Sequence, residues 1–167
     1  MLVYLGLGSN LGIRAQFIRQ ALESMSAEGI KVIHVSSLYE TEPWGVGNQP
    51  RFLNAVSVVE TELAPEALLA AVKKIEQALG RQSGVHWGPR PIDIDILLYG
   101  STQVHTGDLT IPHPGMLWRA SVLVPIVELA PDLMHPLTGR SMRDHLRDLG
   151  PTPDVAPYPP GLPVKPQ

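Results

Sequence analysis

The sequence contains no cysteine, and only 5% of its residues are aromatic. The first absence excludes a disulfide framework and any metal site built on thiolates. The fold must therefore be stabilised by its hydrophobic core. The low aromatic content also counts against an RNA-binding sheet, which places exposed aromatic side chains beside basic ones.

An excess of basic residues is missing as well. Thirteen Lys and Arg stand against sixteen Asp and Glu, which gives a formal charge of −3. Proteins that bind a nucleic-acid backbone through counterion release carry the opposite balance. We therefore expect no nucleic-acid partner, and we expect any phosphate ligand to be held by a few placed cations or by a metal ion.

No apolar run is long enough to span a membrane, and the first residues, MLVYLGLGSN, lack a basic start. These absences predict a cytoplasmic protein with no membrane partner. At 167 residues, the chain is expected to form a single domain over residues 1–150. Residues 151–167 include seven prolines and are expected to be extended or disordered.

Hydrophobic periodicity indicates an alternation of strands and helices. Apolar residues recur at helical spacing over residues 14–26 and 65–79, and Gly80 is a plausible C-terminal cap for the second helix. Strands are predicted over 2–7, 31–38, 52–62 and 91–99, and shorter helices over 122–130 and 142–149. This order predicts an α+β fold, a ferredoxin-like βαββαβ three-layer sandwich with a mainly antiparallel sheet and extra C-terminal helices.

The glycine-rich stretch GLGSNLG, residues 6–12, follows a predicted strand and precedes a predicted helix, which is the setting of dinucleotide-binding glycines. Its spacing fails because Leu11 occupies the position of the third glycine, and no Walker Lys-Ser or Lys-Thr follows. A dinucleotide-dependent enzyme is therefore disfavoured, and these glycines are expected to form a tight turn.

The most informative stretch is HWGPRPIDIDILLYG, residues 86–100. In a strand, Asp93 and Asp95 share one face and lie about 6.6 Å apart along it, twice the rise per residue. A half-exposed antiparallel strand also carries polar residues on one face. Here, however, Leu97 and Tyr99 continue the same face as apolar, and two partly buried carboxylates repel each other unless a cation lies between them. Mg²⁺ fits such a pair because it prefers carboxylate oxygens, water and substrate phosphates.

Two arginines, Arg81 and Arg90, stand at the ends of the loop before this strand. A loop arginine alone is usually a solvated surface charge. Beside a magnesium site, however, guanidinium groups indicate polyphosphate because their fork matches phosphate geometry. The residues thus predict phosphoryl transfer. A non-catalytic domain of the same fold, binding a nucleotide or RNA through its sheet, is the alternative.

Trp87-Gly88-Pro89-Arg90, followed by Asp93-Ile94-Asp95-Ile96, resembles the signature of a known enzyme family. Further likenesses, in order along the chain, are Gly8-Ser9-Asn10, Tyr39-Glu40-Thr41 with Pro43, Phe52-Leu53-Asn54-Ala55, Ile75-Glu76 with Gly80-Arg81, and Ile111-Pro112-His113 with Arg119. The family is 6-hydroxymethyl-7,8-dihydropterin pyrophosphokinase, and the likeness covers about residues 1–149. It implies transfer of pyrophosphate from Mg-ATP to the pterin hydroxymethyl group in folate biosynthesis, with release of AMP.

The resemblance also implies roles for individual residues. Asp93 and Asp95 would hold two Mg²⁺ ions, while Arg81 and Arg90 would neutralise charge on the transferred group. Positions around ATP, the co-substrate, fall at Glu76, Trp87, Ile96, Thr110, His113 and Arg119. Positions around the pterin fall at Thr41, Trp44, Phe52 and Asn54. Asn54 would bond the ring edge and Phe52 would stack on the ring, although a lone Phe is more often a core residue.

The chain departs from the family pattern beside the pterin. The second aromatic residue of the family's pterin sandwich falls at Ser121, so one ring face lacks its partner unless Trp118 takes that place. Pro114 also replaces an aromatic residue that often follows the family histidine.

The loop over residues 80–90 is one residue shorter than in the family, with Ser83 and His86 where relatives often carry arginines. The loops over residues 42–51 and 82–89 are rich in glycine and proline, and we expect both to close over the substrates and exclude water. The sequence favours a monomer and leaves a dimer open.

Overall fold

The computed structural model describes residues 1–42, 49–80 and 91–159. Over these ranges the protein is a mixed α/β structure with four α-helices and an antiparallel sheet. The strands are β1 (Leu2–Ser9), β2 (Ile30–Val35), β3 (Tyr39–Thr41), β4 (Phe52–Thr61), β5 (Asp93–Tyr99), β6 (Val104–His105), β7 (Thr110–Ile111) and β8 (Val155–Pro157). The helices are α1 (Arg14–Ser24), α2 (Pro65–Ala78), α3 (Ala120–Leu129) and α4 (Met142–Leu149).

The main sheet has six strands in the order β5-β1-β4-β3-β8, with β2 also paired to β4. Every one of these pairs is antiparallel. β2 and β3 lie end to end along β4, with Ile30 opposite Thr61 and Thr41 opposite Phe52. The predicted combination of helices with a mainly antiparallel sheet is thus confirmed.

The edge strand predicted over residues 31–38 is interrupted after Val35. Ser36 continues the pairing with β4 in another way: its backbone N–H donates to the Val56 carbonyl at 2.9 Å, and its Oγ accepts from the Val56 N–H at 2.9 Å. The Ser36 hydroxyl also donates to the neighbouring Ser37 carbonyl at 2.8 Å, and serine competes with regular secondary structure through such local bonds. Because β3 begins only after this interruption, it runs along the part of β4 that contains Phe52 and Asn54.

Successive side chains of β1 point to opposite faces of the sheet, and a separate hydrophobic cluster lies on each face. Val3, Leu5 and Leu7 are buried on the face where α1 and α2 pack. On the other face, Val56 of β4 and Leu97 of β5 pack with α3 and α4. Full burial of each such aliphatic side chain contributes about 1.5–3 kcal/mol. Helices therefore cover both faces of the sheet.

The helix boundaries follow local signals. α1 ends two residues before the predicted limit of 26, and a short 3-10 turn leads to Gly29, whose φ of 81° only glycine adopts readily. α2 begins at Pro65, where the missing N–H costs nothing, and is followed by Gly80 with φ 97°. None of the helices in the described part of the chain has the length and apolar character needed to cross a membrane.

The proline-rich C-terminal segment contributes an edge strand that the sequence did not predict. β8 pairs with β3, placing Val155 opposite Thr41, and the Tyr158 N–H donates to the Leu38 carbonyl at 2.9 Å. The guanidinium carbon of Arg14 lies 5.7 Å from the centre of the Tyr158 ring. The segment is therefore tied to the sheet as far as Tyr158. Residues 160–167 lie outside the described ranges.

Candidate active site

Two glycines of β1 form the floor of the site. Gly8 lies opposite Asp93 of β5 on one side and opposite Asn54 of β4 on the other, and Gly6 is likewise opposite Asp95. A Cβ at Gly8 would lie only 2.8 Å from Asn54 Oδ1. The absent side chains therefore leave space between the carboxylates and the amide. Glycine inside a strand commonly marks such a close approach.

The tight-turn prediction for the glycine-rich stretch is thus wrong for Gly6 and Gly8, which lie inside β1. Of these glycines, Gly12 alone adopts a left-handed conformation, with φ 71°. The apolar run at the start of the chain continues as a strand through both glycines because β4 and β5 pair on either side of it.

The acidic pair lies at the start of β5. Asp93 and Asp95 are half-buried on one face, and Ile94 between them is buried on the other. The Ile94 N–H donates to Glu76 Oε2 at 2.9 Å, and Glu76 is only 4% exposed. α2 therefore fixes the position of the strand that presents the two aspartates.

A first cavity, of about 80 Å³, opens beside this pair. Three of the four predicted pterin positions line it, namely Thr41, Phe52 and Asn54. The Asn54 amide Nδ2 donates a short hydrogen bond to Thr41 Oγ1, which orients the amide and leaves its oxygen above Gly8. The cavity thus combines one aromatic ring with one amide, the kinds of group that recognise a flat, polar heterocycle.

A second cavity, of about 450 Å³, lies on the other side of the acidic pair. It is lined by five of the six predicted nucleotide positions, Glu76, Ile96, Thr110, His113 and Arg119. Its size falls within the roughly 300–1,000 Å³ of small-molecule sites. Asp93, Asp95 and Arg119 line both cavities, so the carboxylates and one guanidinium group lie at their junction.

The larger cavity contains a cation that the sequence reading missed. Lys73 lines it from α2, three residues before Glu76. Residues three apart on a helix share a face, so the position of Glu76 was the available signal. Lys73 adds positive charge where a polyphosphate would need it.

Two hydrogen bonds fix the position of His113. Its backbone N–H donates to the Leu97 carbonyl at 2.9 Å, and its ring Nδ1 accepts from the Gly115 backbone N–H at 3.1 Å. Burial lowers the pKa of His113 below its ordinary value and the Arg119 guanidinium lowers it further, while the Asp93 carboxylate acts in the opposite direction. The neutral ring therefore carries its proton on Nε2, and can donate one hydrogen bond from that atom.

Four predicted site residues, Trp44, Arg81, Trp87 and Arg90, lie outside the described residues. Most of both predicted closing loops lies there as well. Over the described ranges, no group of three or more His, Asp or Glu side chains could hold a metal ion alone. Two carboxylates at a cavity junction nevertheless fit Mg²⁺, because this ion keeps several waters and takes its other ligands from substrate phosphates.

A carboxylate pair shared by a nucleotide-sized cavity and a smaller one with an amide and an aromatic ring fits a phosphotransferase that acts on a small heterocycle. The family model described as 7,8-dihydro-6-hydroxymethylpterin-pyrophosphokinase matches residues 4–131. The chain belongs to this family. It is accordingly an ATP-dependent pyrophosphokinase, which transfers pyrophosphate to hydroxymethyldihydropterin in folate biosynthesis.

Named relatives agree with the family match. The chain is 46% identical over 150 residues to the 2-amino-4-hydroxy-6-hydroxymethyldihydropteridine pyrophosphokinase of Methylorubrum extorquens, covering 89% of this chain and 94% of that one. It is also 46% identical over 147 residues to the folic acid synthesis protein fol1 of Pneumocystis carinii, covering 88% of this chain but 20% of that protein. The chain thus corresponds to nearly all of the bacterial enzyme and to one fifth of the fungal protein.

Solved structures support the fold. The HPPK-DHPS A437G/K540E protein of Plasmodium falciparum, crystallised with pterin and p-hydroxybenzoate, superposes with a TM-score of 0.73. The sequences are 18% identical, and the match covers 88% of this chain and 43% of that one.

Proposed function

We propose that the two cavities divide the substrates, with ATP in the larger one, the pterin in the smaller one and the acidic pair between them. The observation that carries this proposal is that Asp93 and Asp95 line both cavities. A group transferred from one ligand to the other has to pass this junction.

The pterin is held by Asn54 and Phe52. The short hydrogen bond from Asn54 to Thr41 supports this, because it uses one amide hydrogen and leaves the second hydrogen and the oxygen for the ring edge. Phe52 lies in the same cavity and offers its ring for stacking. Trp44 belongs to this group by resemblance.

ATP is held along Ile96, Thr110 and His113, with Arg119 and Lys73 facing its charge. The walls of the larger cavity support this assignment, since they combine apolar side chains with two cations. Glu76 contributes to the ATP site indirectly, because its carboxylate accepts a hydrogen bond from the backbone of β5. Trp87 is assigned to the nucleotide by resemblance.

Asp93 and Asp95 would hold two Mg²⁺ ions, which supply charge neutralisation at the transferred group when bound. The chain's own cations also neutralise charge at the transferred group. Arg119 lies at the junction, and Arg81 and Arg90 are proposed to join it on the transferred phosphates. In the reaction the pterin hydroxymethyl oxygen loses its proton to solvent and bonds to the β-phosphorus of ATP. The bond from that phosphorus to the oxygen bridging the α-phosphate breaks, its electron pair stays on that oxygen, and AMP leaves.

We also propose the finer fold assignment, a ferredoxin-like sandwich. The antiparallel order β5-β1-β4 followed by β2 and β3, with α1 and α2 on one face, supports it. α3 and α4 are then the additions on the opposite face.

Calorimetry on two variants tests the division of substrates. Asn54→Leu removes the amide, so the Kd of the pterin, measured at saturating nonhydrolysable ATP analogue, should rise at least about tenfold. The Kd of the analogue should stay within about twofold. Lys73→Met should instead raise the Kd of the analogue at least about tenfold and leave the Kd of the pterin within about twofold, since Lys73 lines the larger cavity. A rise of about tenfold in the analogue Kd in Asn54→Leu, with the pterin Kd unchanged, would contradict the division.

A further inference from the structure

Glu128 joins two parts of the fold that enclose the smaller cavity. It lies near the end of α3, and its Oε1 accepts a hydrogen bond from the Tyr39 hydroxyl at 2.5 Å. Its Oε2 accepts from the Ser37 backbone N–H at 2.7 Å. Both bonds are charge-assisted, and they use both oxygens of the carboxylate. The end of α3 is therefore fixed to β3 and to the residues just before it.

On the strand side, this connection lies next to the proposed pterin position. Tyr39 is directly opposite Asn54 in the antiparallel pair of β3 and β4. Such directly opposite residues place their side chains on the same face of a sheet. Thr41, two residues further along β3, shares this face and accepts the short hydrogen bond from the Asn54 amide. The tyrosine that Glu128 holds is thus the direct neighbour of that amide.

On the helix side, the connection leads to the opposite wall of the same cavity. Ser121, in the first turn of α3, lines the smaller cavity together with Arg119, which precedes the helix. Ser121 and Glu128 stand two helical turns apart, so they share one face of α3. They are separated by about 10.5 Å along the axis, at the usual rise per residue. The same face of α3 therefore carries a wall of the cavity at one end and the bonds to β3 at the other.

The distance between these two walls matters for a flat ligand. Dispersion contacts weaken steeply with separation, and a gap of about 0.5–1 Å already loses a quarter to a half of their energy. The larger cavity is built differently: of the described residues that line it, none belongs to β3 or α3. A shift of α3 relative to β3 should therefore weaken binding in the smaller cavity and leave the larger one nearly unchanged.

We propose that Glu128 is a positioning residue for the pterin, which sets the separation between the two walls of the smaller cavity by tying α3 to β3. This inference rests on the assignment of the pterin to that cavity. Glu128 touches neither substrate and acts through Tyr39 and α3.

Steady-state kinetics of Glu128→Ala, with each substrate varied in turn, tests this role. The side chain is exposed, so the variant should fold. Because both hydrogen bonds are lost, KM for the pterin should rise at least about fivefold. KM for ATP and kcat should stay within about twofold, since no group that contacts ATP or the reacting atoms is removed. Glu128→Gln keeps one acceptor oxygen and should give an intermediate KM for the pterin.

Glu28→Ala is the matched control. The Glu28 carboxylate is paired with Lys74 of α2 at 3.0 Å, on the side of the sheet where α1 and α2 pack. Its removal should leave both KM values unchanged. An equal rise in the two KM values of Glu128→Ala, or the same rise for the pterin in Glu28→Ala, would overturn the positioning role.

A double-mutant cycle with Tyr39→Phe provides a second test. Tyr39→Phe should raise KM for the pterin as well, and adding it to Glu128→Ala should change KM no further, because the bond between the two residues is already lost. Effects that multiply would show that the residues act separately and would overturn the role. The pterin Kd of Asn54→Leu tests the assignment of the pterin by itself. If that Kd rises as expected while Glu128→Ala keeps the KM of the unaltered protein, the positioning role fails and the assignment stands.

Discussion

At the scale of single residues, the missing side chain of Gly8 leaves room for the Asn54 amide. A Cβ at Gly8 would lie 2.8 Å from Asn54 Oδ1, whereas a Cβ at Gly6 would meet Leu97 at an ordinary 3.5 Å. The two glycines stand two residues apart on the same strand and face. They therefore form a natural pair for comparison.

We predict that Gly8→Ala raises KM for the pterin at least about tenfold, because the added methyl group displaces the Asn54 amide that we propose bonds the ring. Gly6→Ala should have a clearly smaller effect, and KM for ATP should change little in either variant. Steady-state kinetics with each substrate varied in turn gives the comparison. Equal effects of the two alanines would show that the Asn54 amide is not the sensitive group.

Tyr39 and Glu128 provide a second test at this scale. The Tyr39 hydroxyl donates to Glu128 Oε1, while Glu128 Oε2 accepts from the Ser37 N–H at 2.7 Å. Burial, and then the Glu128 carboxylate, raise the pKa of Tyr39 to about 12. The folded pKa lies above the ordinary value of 10.0, so this contribution to stability is complete below pH 10 and is lost as the pH rises towards 12.

We predict that Glu128→Gln lowers the pKa of Tyr39 towards its ordinary value, since the charge disappears and burial remains. The ultraviolet titration of tyrosinate, taken as the difference from Tyr39→Phe, gives this pKa. An unchanged pKa would mean that burial alone accounts for the shift.

At the scale of elements, β8 shows how a short strand can depend on side chains beyond it. Arg14 lies over the Tyr158 ring and also pairs with Glu40 at 3.0 Å. Its Nη1 donates to the Arg51 carbonyl at 3.1 Å as well. One arginine thus connects α1, β3, the residue before β4, and the C-terminal segment.

We predict that Tyr158→Ala lowers the free energy of unfolding by about 1–2 kcal/mol, through lost packing and the lost cation–π contact. Tyr158→Phe keeps the ring and should lose much less. Urea unfolding of both variants measures the difference. A midpoint for Tyr158→Ala equal to that of the unaltered protein would show that the segment is held by its backbone bonds alone.

At the scale of the whole molecule, hydrophobic periodicity in the sequence predicted most of the longer strands and helices. The alternation around Asp93 and Asp95 predicted the strand and the shared face, and helical spacing placed α2 together with Glu76. What it could not predict depends on long-range register. Gly8 lies between Asp93 and Asn54 only because β1 pairs with β4 and β5 together, and no local pattern contains that information.

The other differences also depend on contacts between residues far apart in the chain. The interruption of the edge strand depends on Ser36 bonding to Val56, twenty residues away. β8 is too short and too rich in proline to carry a period of its own, and it exists because β3 offers an unpaired edge. A cavity of about 410 Å³ follows from both elements, since residues 151–155 and Thr41 of β3 line it together.

The central claim is that the acidic pair at the junction of two cavities carries out pyrophosphate transfer. Its most direct test is AMP formation from Mg-ATP and 6-hydroxymethyl-7,8-dihydropterin by Asp95→Asn. Asp132→Asn is the control, since Asp132 is an exposed carboxylate paired with Arg143 at 3.4 Å. We predict that Asp95→Asn lowers the rate at least about a hundredfold with its melting temperature nearly unchanged, and that the control retains the rate. AMP formation by Asp95→Asn at the rate of the unaltered protein would contradict the account.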